Sequence, residues 1–346
     1  MLVRKFFRIV LFLLGCFGLI CYPGEAAQAV RDGLVICGTS VIPALFPFLV
    51  LTKSFLGGKR GQKAHKSAEN IMRRCFGLGG ECLSPLLLSF VGGYPVGAAS
   101  VAELYQNGAI SKEETERLLL FCNNSGPAFF LGVIGTVVLS NVKAGLVLYA
   151  AHVLAALCCG ALLRENTPRS AVLRKLQPAE PTESGFLLAV SSSCTALLQI
   201  SGLILFFSAV LALLEACGIF RLLCRLLPGI PAQTLRAMLC GVFELSGGVI
   251  RLQGCDGAAV LCAFLMGWGG LCVHLQAMCF WQPLHLRPKG YFAAKLLHGT
   301  LSALFSALFL SPRPPLMLLA GAVLLLCAFF PEIRQKMGRN PRRNTV

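Results

Sequence analysis

Residues 92–97, which read Gly-Gly-Tyr-Pro-Val-Gly, and residues 122–127, which read Cys-Asn-Asn-Ser-Gly-Pro, interrupt two long apolar stretches of the sequence. A helix in lipid has to satisfy its own backbone hydrogen bonds, so such breaks persist only where they face protein or a water-filled cavity. In secondary transporters, broken helices of this kind form the substrate site near the middle of the bilayer. These two segments therefore decide the fold class and indicate where a ligand binds.

The composition of the 346-residue chain is that of a membrane protein. Hydrophobic residues make up 56% and charged residues 13% of the sequence, and the mean hydropathy is +0.73. A soluble domain carries about 25% charged residues, and several runs here reach the roughly 18 apolar residues that cross a bilayer. We therefore predict an all-α polytopic protein of the cell membrane, which has the lipid bilayer as a partner.

The basic charge of the chain fits membrane topology better than nucleic-acid binding. Lys and Arg number 31 against 15 acidic residues, which gives a formal net charge of +16. These residues cluster in short loops between apolar segments, as the positive-inside rule predicts for cytoplasmic loops. We expect no nucleic-acid partner.

The 17 cysteines indicate neither a disulfide framework nor a metal site. No Cys-x-x-Cys spacing occurs, and most cysteines lie inside apolar runs, where a free thiol packs as a small hydrophobe. The odd count also argues against complete pairing. We predict no metal and no cofactor.

Eight membrane spans are predicted from the apolar runs, at residues 6–22, 33–51, 119–141, 143–163, 187–214, 257–281, 291–311 and 315–331. Three basic residues, Arg4, Lys5 and Arg8, precede the first span, whereas only Arg31 follows it. The N-terminus is therefore expected in the cytoplasm. Further basic groups mark three cytoplasmic loops and a cytoplasmic C-terminal tail: Lys53, Lys59, Arg60, Lys63, Lys66, Arg73 and Arg74; Arg164, Arg169, Arg174 and Lys175; Arg287, Lys289 and Lys295; and Arg334, Lys336, Arg339, Arg342 and Arg343.

The first span also resembles a signal peptide, and Gly24-Glu25-Ala26-Ala27 offers a cleavage-like site. We expect the segment to be retained, because the orientation of the other spans balances with it present. Cleavage stays open.

Two further apolar segments, 83–107 and 235–252, have to enter and leave the membrane on the same side if the eight spans are to keep these orientations. The first reads as a helical hairpin, because its apolar arm 83–90 extends only about 12 Å, less than half of a ~30 Å hydrocarbon core. A capping box at 111–114 then starts a new helix, with Glu116 and Arg117 on its surface. This helix runs into the break at 122–127.

The second half of the chain repeats this plan. Residues 241–248 interrupt the second hairpin and residues 267–270 interrupt the following span. The first hairpin enters from the cytoplasmic side and the second from outside, which is the inverted-topology repeat of many secondary transporters. The predicted organisation is an N-terminal helix with a short outer loop (1–32), a first repeat (33–163), a basic cytoplasmic linker (164–184), a second repeat (185–311), a final span (312–331) and a basic cytoplasmic tail (332–346).

Half-helix N-termini at these breaks present free N–H groups and about half a unit of positive charge, and glycines let a ligand approach the backbone closely. Such a site suits an anion, particularly a carboxylate. A kink or tight packing of small residues is the alternative for these breaks, and it is strongest for the glycine pairs of the second half. The candidate substrate-binding residues are Gly92, Gly93, Tyr94, Asn123, Asn124, Ser125, Gly126, Ser246, Gly247, Gly248, Gly269, Gly270, His274 and Gln276.

Glu244 is an ionisable residue in an apolar stretch. Such a residue costs about 2.5–3.5 kcal/mol on insertion scales, so function is the default hypothesis. We expect Glu244 to bind a coupling cation or to carry a coupling proton. Pairing with Arg236 or Arg251 at a membrane edge is the alternative.

Among the histidines, His274 is placed to hydrogen-bond a ligand or to shuttle a proton, and an interhelical hydrogen bond is its simpler role. His152 and His298 have no distinguishing context. The sequence contains no Walker loop, no catalytic Ser/His/Asp context and no His-Glu-x-x-His, so we predict no catalytic site and no enzyme. Transport would then be secondary, passive or powered by another subunit, and a homo-oligomer stays open.

At these segments the chain resembles the YlbJ family of sporulation integral membrane proteins, in the gate-domain (nucleoside-recognition) group. The resemblance covers most of the chain and is most specific between residues 83 and 135. It implies an inner-membrane protein of endospore-forming bacteria that is needed in spore formation, and the family's members are linked to moving dipicolinic acid from the mother cell towards the forespore. The matching segments are 89–98, 110–114, 119–127, 131–132, 244–248 and 269–276.

Three functions follow from these observations. The first is a secondary or facilitative transporter of a small anionic metabolite, with dipicolinic acid as the leading substrate. The second is a nucleoside or nucleobase permease, which the gate-domain name favours. The third is a non-transporting scaffold of a spore-envelope complex.

Overall fold

A computed structural model describes residues 2–56, 62–165 and 184–311, and within these ranges all regular structure is helical. This confirms the predicted all-α class for the described residues. The predicted span at 315–331, the basic tail at 332–346 and most of the basic linker lie outside the described residues, as do Lys59 and Arg60.

Eight helices occupy the first part of the described chain: α1 (Leu2–Cys21), α2 (Pro23–Ile36), α3 (Ile42–Leu56), α4 (Gln62–Phe76), α5 (Leu83–Gly92), α6 (Val96–Gln106), α7 (Lys112–Leu118) and α8 (Val142–Leu162). A π-helical turn at Cys37–Val41 joins α2 to α3, and a π-helical segment at Phe129–Val138 precedes α8. Seven helices follow within the described residues: α9 (Ser184–Ala216), α10 (Ile219–Leu226), α11 (Ala232–Phe243), α12 (Leu245–Ile250), α13 (Ala258–Trp268), α14 (Gly270–Trp281) and α15 (Tyr291–Leu310).

The described chain contains helices suited to a multi-pass membrane protein. Four are long and apolar enough to cross a membrane: Val142–Leu162, Phe186–Ala216, Ala258–Leu284 and Tyr291–Leu310. Each coincides with a predicted span. Two further pairs of helices are bent by 98° and 87° at a short break. If each pair is one span, the described residues contain up to six candidate membrane spans. The count of eight and the inverted repeat stay predictions.

The N-terminal region differs from its prediction. Residues 23–32, which we assigned to a short outer loop, belong to α2, and the chain stays helical from Pro23 to Leu56. Proline suits the first turn of a helix because the missing N–H is not needed there. The basic stretch that we assigned to a cytoplasmic loop includes the helix α4, whose last turn carries Arg73 and Arg74. Residues 219–226 form α10, which the sequence analysis did not predict.

The breaks of the first half lie where the sequence places them. Gly93 ends α5 with a φ of 74°, a left-handed value that favours glycine. Helices α5 and α6 then pack against each other as a hairpin. Residues 122–126 are not helical, and the helix resumes at Pro127.

The second half has the same order of elements. Glu244 separates α11 from α12, which also pack against each other, and Gly269 separates α13 from α14. Both Gly269 (φ 92°) and Gly270 (φ 73°) are left-handed.

The predicted capping box of α7 is confirmed: Glu114 N donates to Ser111 Oγ at 3.1 Å, and Ser111 N donates to Glu114 Oε2 at 3.2 Å. Arg117 is half-buried rather than on the surface of this helix. Its guanidinium donates to the carbonyls of Phe76 at 3.0 Å and Leu163 at 3.3 Å. Burial lowers the pKa of Arg117, but arginine stays protonated in proteins, so it fastens α7 to the ends of α4 and α8.

Helix α15 lies at the centre of the packing. It packs mainly against α8 of the first half and α13 of the second half. On the other side, α14 packs against α6 and α9, and α9 packs against α2 and α3. The two halves therefore meet around α14 and α15.

Candidate functional site

The first hairpin contacts the broken helix of each half. A Cβ atom built on Gly93 would lie 2.9 Å from the backbone nitrogen of Gly126. On the other side, the Tyr94 hydroxyl donates to the carbonyl of Met266, and a Cβ atom on Gly269 would lie 3.5 Å from the Tyr94 hydroxyl. The turn of this hairpin thus lies between the two broken helices.

The second hairpin joins the same group of breaks. A Cβ atom built on Gly270 would lie 3.0 Å from the Gly241 carbonyl oxygen and 3.2 Å from the Leu245 nitrogen. All four predicted interruptions therefore form one continuous set of contacts at the interface of the two halves.

The two amides of the 122–127 break are fully buried. Asn124 Nδ2 donates to Ser89 Oγ at 2.9 Å and to the Phe121 carbonyl at 2.9 Å, so it holds the break against α5. Asn123 Nδ2 donates to the Tyr291 hydroxyl at 3.3 Å, so it reaches the first turn of α15.

The position of Lys295 differs from its prediction. We assigned it to a cytoplasmic loop, but it lies in α15 with no solvent exposure. Its Nζ donates to the Asn123 carbonyl at 2.7 Å, lies 3.2 Å from His298 Nδ1 and lies 5.5 Å from the centre of the Tyr94 ring. Among the ion pairs formed by described residues, none includes Lys295. Its charge therefore has no acidic partner in this part of the chain.

Hydrogen bonds assign the tautomers of His152 and His298, two buried histidines without distinguishing sequence context. His152 Nε2 accepts the backbone N–H of Ser125 at 3.1 Å, so neutral His152 carries its proton on Nδ1. His298 Nε2 lies 3.1 Å from the His152 carbonyl oxygen, which only accepts. Neutral His298 therefore has its proton on Nε2, and its Nδ1 accepts from Lys295.

His274, a predicted ligand-binding residue, belongs to the same network. Its Nδ1 lies 3.2 Å from the Tyr291 hydroxyl. Because that hydroxyl already accepts from Asn123, its own proton is available to His274 Nδ1, which leaves Nε2 as the N–H of the ring. The Trp268 ring packs edge-on against His274, with centroids 4.6 Å apart.

We call this assembly the Lys295 network; its members are Ser89, Tyr94, Asn123, Asn124, Ser125, His152, His274, Tyr291, Lys295 and His298. Four of its buried side-chain atoms have no hydrogen-bond partner in the described structure: Asn123 Oδ1, Asn124 Oδ1, His152 Nδ1 and His274 Nε2. The first two are acceptors, and the tautomers make the other two donors. Each unpaired buried group costs about 1–3 kcal/mol, so the network favours a polar ligand or water that pairs with them.

Gln276 and Gly248 are predicted site residues with local contacts instead. Gln276 Nε2 donates to Cys272 Sγ at 3.2 Å within α14. A Cβ atom on Gly248 would lie 2.2 Å from Gly241 Cα, so this glycine allows α11 and α12 to pack closely, which is the alternative that the sequence left open.

Glu244 has a structural role at the second hairpin. Its Oε1 accepts from Ser246 N at 2.9 Å and its Oε2 accepts from Gly247 N at 2.7 Å. Both oxygens therefore cap the N-terminus of α12, and the N–H groups of two predicted substrate-binding residues are already occupied.

Neither arginine that the sequence offered as a partner pairs with Glu244. Arg236 pairs with Glu215 at 3.3 Å, and Arg251 donates to the Gly247 carbonyl at 3.0 Å. Glu244 instead lines an open cleft of about 990 Å³ between α2, α9 and the second hairpin.

A second cavity, of about 660 Å³, lies beside the Lys295 network. Its wall includes Tyr291, whose hydroxyl belongs to the network, and Trp281, which packs against the Tyr291 ring with centroids 4.9 Å apart. The exposed residues Arg287 and Lys289 also line it. This cavity therefore carries basic side chains and shares Tyr291 with the network.

Apolar spans, paired helix breaks and a lysine buried among them define the chain as a multi-pass helical membrane protein that encloses a polar site. The chain is 29% identical over 324 aligned residues to the sporulation integral membrane protein YlbJ of Bacillus subtilis (strain 168), and the alignment covers 85% of this chain and 79% of that protein. This similarity confirms the resemblance seen in the sequence and supports assignment of the chain to the YlbJ family, hence to sporulation-associated membrane proteins. No family model matches the chain, and no solved structure matches it.

Proposed function

We propose that this protein is a secondary or facilitative transporter that moves a small organic anion across the membrane, with dipicolinate as its substrate. The observation that carries this proposal is the buried ammonium of Lys295, which has no acidic partner among the described residues. An unpaired charge inside a protein costs several kcal/mol, and inside a membrane segment it marks a substrate or ion pathway. A carboxylate supplies the missing counter-charge.

The donors of the network suit a rigid dicarboxylate. Beyond its contacts to Asn123 and His298, the Lys295 ammonium has a third N–H, and the assigned tautomers leave His152 Nδ1–H and His274 Nε2–H unpaired. Dipicolinate carries two carboxylates beside a pyridine nitrogen, all of which accept hydrogen bonds. The family resemblance favours this anion over other dicarboxylates.

Access requires movement of the packed helices, because Asn123, His274 and Lys295 are buried. In this proposal the anion approaches through the 660 Å³ cavity, which shares Tyr291 with the network. Its Arg287 and Lys289 would concentrate anions there. Displacing Tyr291 would break its hydrogen bond to Asn123 and open the network towards this cavity.

A nucleoside or nucleobase permease is the second candidate. The unpaired amide oxygens of Asn123 and Asn124 favour it, because the N–H groups of a base are the donors that these oxygens lack. The charge of Lys295 favours the anion instead, since a neutral base leaves the ammonium uncompensated.

The test is uptake of radiolabelled dipicolinate by proteoliposomes that contain the purified full-length protein. We expect saturable uptake that falls at least tenfold in Lys295→Met. Lys143→Met is the matched control, because Lys143 is exposed and does not line the 660 Å³ cavity, and it should retain uptake. Saturable uptake of uridine with none of dipicolinate would replace the proposal with the permease, and no uptake of either solute would favour the scaffold.

A further inference from the structure

We propose that the Lys295–His298 pair binds one proton each time the site binds an anion, so that transport is coupled to a proton gradient. This coupling presupposes the proposed transport function and adds to it the coupling ion and its residues. It also moves the coupling role from Glu244, where the sequence placed it, to the buried network of α15.

The pair is built to hold one proton in either of two places. Lys295 Nζ and His298 Nδ1 are 3.2 Å apart, so a proton on Nζ is donated to Nδ1, and a proton on Nδ1 is donated to a neutral Nζ. The other partners do not change, because Nζ donates to the Asn123 carbonyl and His298 Nε2 donates to the His152 carbonyl in both cases. When the proton is lost, the neutral Nζ still has two N–H groups, which donate to the Asn123 carbonyl and to Nδ1, so loss of the proton breaks none of these hydrogen bonds.

The described groups around Lys295 include no carboxylate that could hold its charge permanently. Helix α8 presents His152 and Cys159, and Cys159 Sγ donates to the Ala294 carbonyl at 3.4 Å. Helix α13, which also packs on α15, has Cys262 as its sole titratable residue. The remaining titratable neighbours are Cys122, Tyr94, His274, Tyr291 and His298.

Because Lys295 has no acidic partner among the described residues, binding of the proton and binding of the anion depend on each other. Without an anion, burial favours the neutral amine, because the ammonium is neither hydrated nor paired. A bound carboxylate next to Nζ favours the ammonium. Anion binding therefore raises proton affinity, and protonation raises anion affinity by the same factor. When the anion leaves on the other side, the proton leaves with it.

Glu244 is less suited to this role. Both of its carboxylate oxygens accept backbone N–H groups of α12. The side chain is therefore already engaged in capping this helix.

The test measures proton movement together with uptake. Proteoliposomes of the full-length protein enclose a pH-sensitive dye, with valinomycin and equal potassium on both sides to hold the membrane potential at zero. Addition of dipicolinate at equal pH should acidify the lumen in step with uptake. An interior one pH unit more alkaline should raise accumulation about tenfold, because one pH unit corresponds to about 1.36 kcal/mol per proton. Protein-free liposomes measure permeation of the protonated acid.

Two variants test whether Lys295 and His298 carry the coupled proton. Lys295→Arg fixes the charge, since arginine does not deprotonate, and should make residual uptake independent of the pH gradient. His298→Gln keeps an acceptor for Lys295 and a donor for the His152 carbonyl but does not titrate, so it should reduce the pH response. This variant keeps the test valid if the larger side chain of Lys295→Arg prevents folding. Lys143→Arg, at an exposed position outside the approach cavity, should keep the full response.

Three results would overturn the proposal. Dipicolinate uptake that neither acidifies the lumen nor responds to the gradient would end the coupling and leave the transport function standing. A pH response that survives in both variants but disappears in Glu244→Gln would return coupling to Glu244. Absence of dipicolinate uptake in the unaltered protein would remove transport and coupling together.

Discussion

The hydroxyl of Tyr94, in the turn of the first hairpin, donates a hydrogen bond to the carbonyl of Met266, 172 residues further along the chain. The ring of the same tyrosine lies 5.5 Å from Lys295 Nζ. One side chain thus connects the first hairpin, the broken helix of the second half and the buried ammonium. Any movement of the hairpin changes the surroundings of that charge.

Tyr94→Phe should separate these roles. The ring over Lys295 remains, whereas the hydrogen bond between the halves is lost, at a cost of about 1 kcal/mol. We expect a slightly lower thermal midpoint and a dipicolinate uptake rate altered at least threefold. Tyr149→Phe is the matched control, because Tyr149 donates to the Phe90 carbonyl at 2.9 Å within the first half. Equal changes in rate for both variants would contradict a role for Tyr94 between the halves.

Lys295→Met should stabilise the protein while it abolishes transport. A buried lysine without an acidic partner costs free energy whether it keeps its charge or gives up its proton, and an apolar side chain of similar length removes this cost. Thermal unfolding in detergent should therefore show a higher midpoint for this variant and no change for the exposed Lys143→Met. A lower midpoint would mean that the ammonium is held for structural reasons.

Asn124→Ala should mainly lower stability, whereas Asn123→Ala should mainly weaken substrate binding. Asn124 makes two hydrogen bonds that fasten the break to α5, so its loss should lower stability by about 1–3 kcal/mol. Asn123 makes one long side-chain bond to Tyr291, so its loss should mainly raise the KM for dipicolinate, by at least fivefold. Thermal midpoints and uptake kinetics of both variants check this. The reverse ranking in KM would place the substrate nearer Asn124.

Gly97→Ala should prevent correct assembly of the first half. A Cβ atom there would lie 1.8 Å from the Cys122 carbonyl oxygen and 2.6 Å from Ser89 Cβ, distances that force the hairpin away from the break. We expect little folded protein in the membrane fraction, measured by detergent extraction and size-exclusion chromatography. Gly132→Ala is the control, because nothing lies within 4 Å of that position. A well-folded Gly97→Ala protein would show that the hairpin and the break are not in contact.

Glu244→Ala should cost about 1 kcal/mol of stability by removing the cap of α12. Asp is a good capping residue, so Glu244→Asp should recover most of this loss. Thermal unfolding compares the two. If the Glu244→Asp protein were as destabilised as the Glu244→Ala protein, capping would not be the main role of Glu244.

The sequence predicts the breaks because their causes are local. Gly93 at a left-handed φ, Pro127 at the start of a helix and the capping box at 111–114 each follow from the chemistry of neighbouring residues. The same holds for the apolar spans at 143–163 and 291–311. What local chemistry does not determine is whether a polar stretch such as 23–32 bends into a loop or continues a helix.

The Lys295 network is harder to predict because its contacts join distant parts of the chain. Lys295 reaches Asn123 across 172 positions, and His298 reaches His152 across 146. A signal was nevertheless present: Lys295 lies inside the predicted span 291–311, and His298 follows three residues later on the same helix face. An ionisable residue within a predicted span is a candidate functional residue by the same rule that selects Glu244.

The buried position of Lys295 also has a consequence for biogenesis. A lysine at the centre of an apolar segment costs about 2.5–3.5 kcal/mol on insertion scales, so Lys295 weakens α15 as a signal for membrane integration. Its partners on α8 and in the 122–127 break are made earlier on the ribosome. Chain order thus lets α15 join a bundle in which acceptors for its lysine already exist, so assembly with the preceding helices would accompany its entry into lipid.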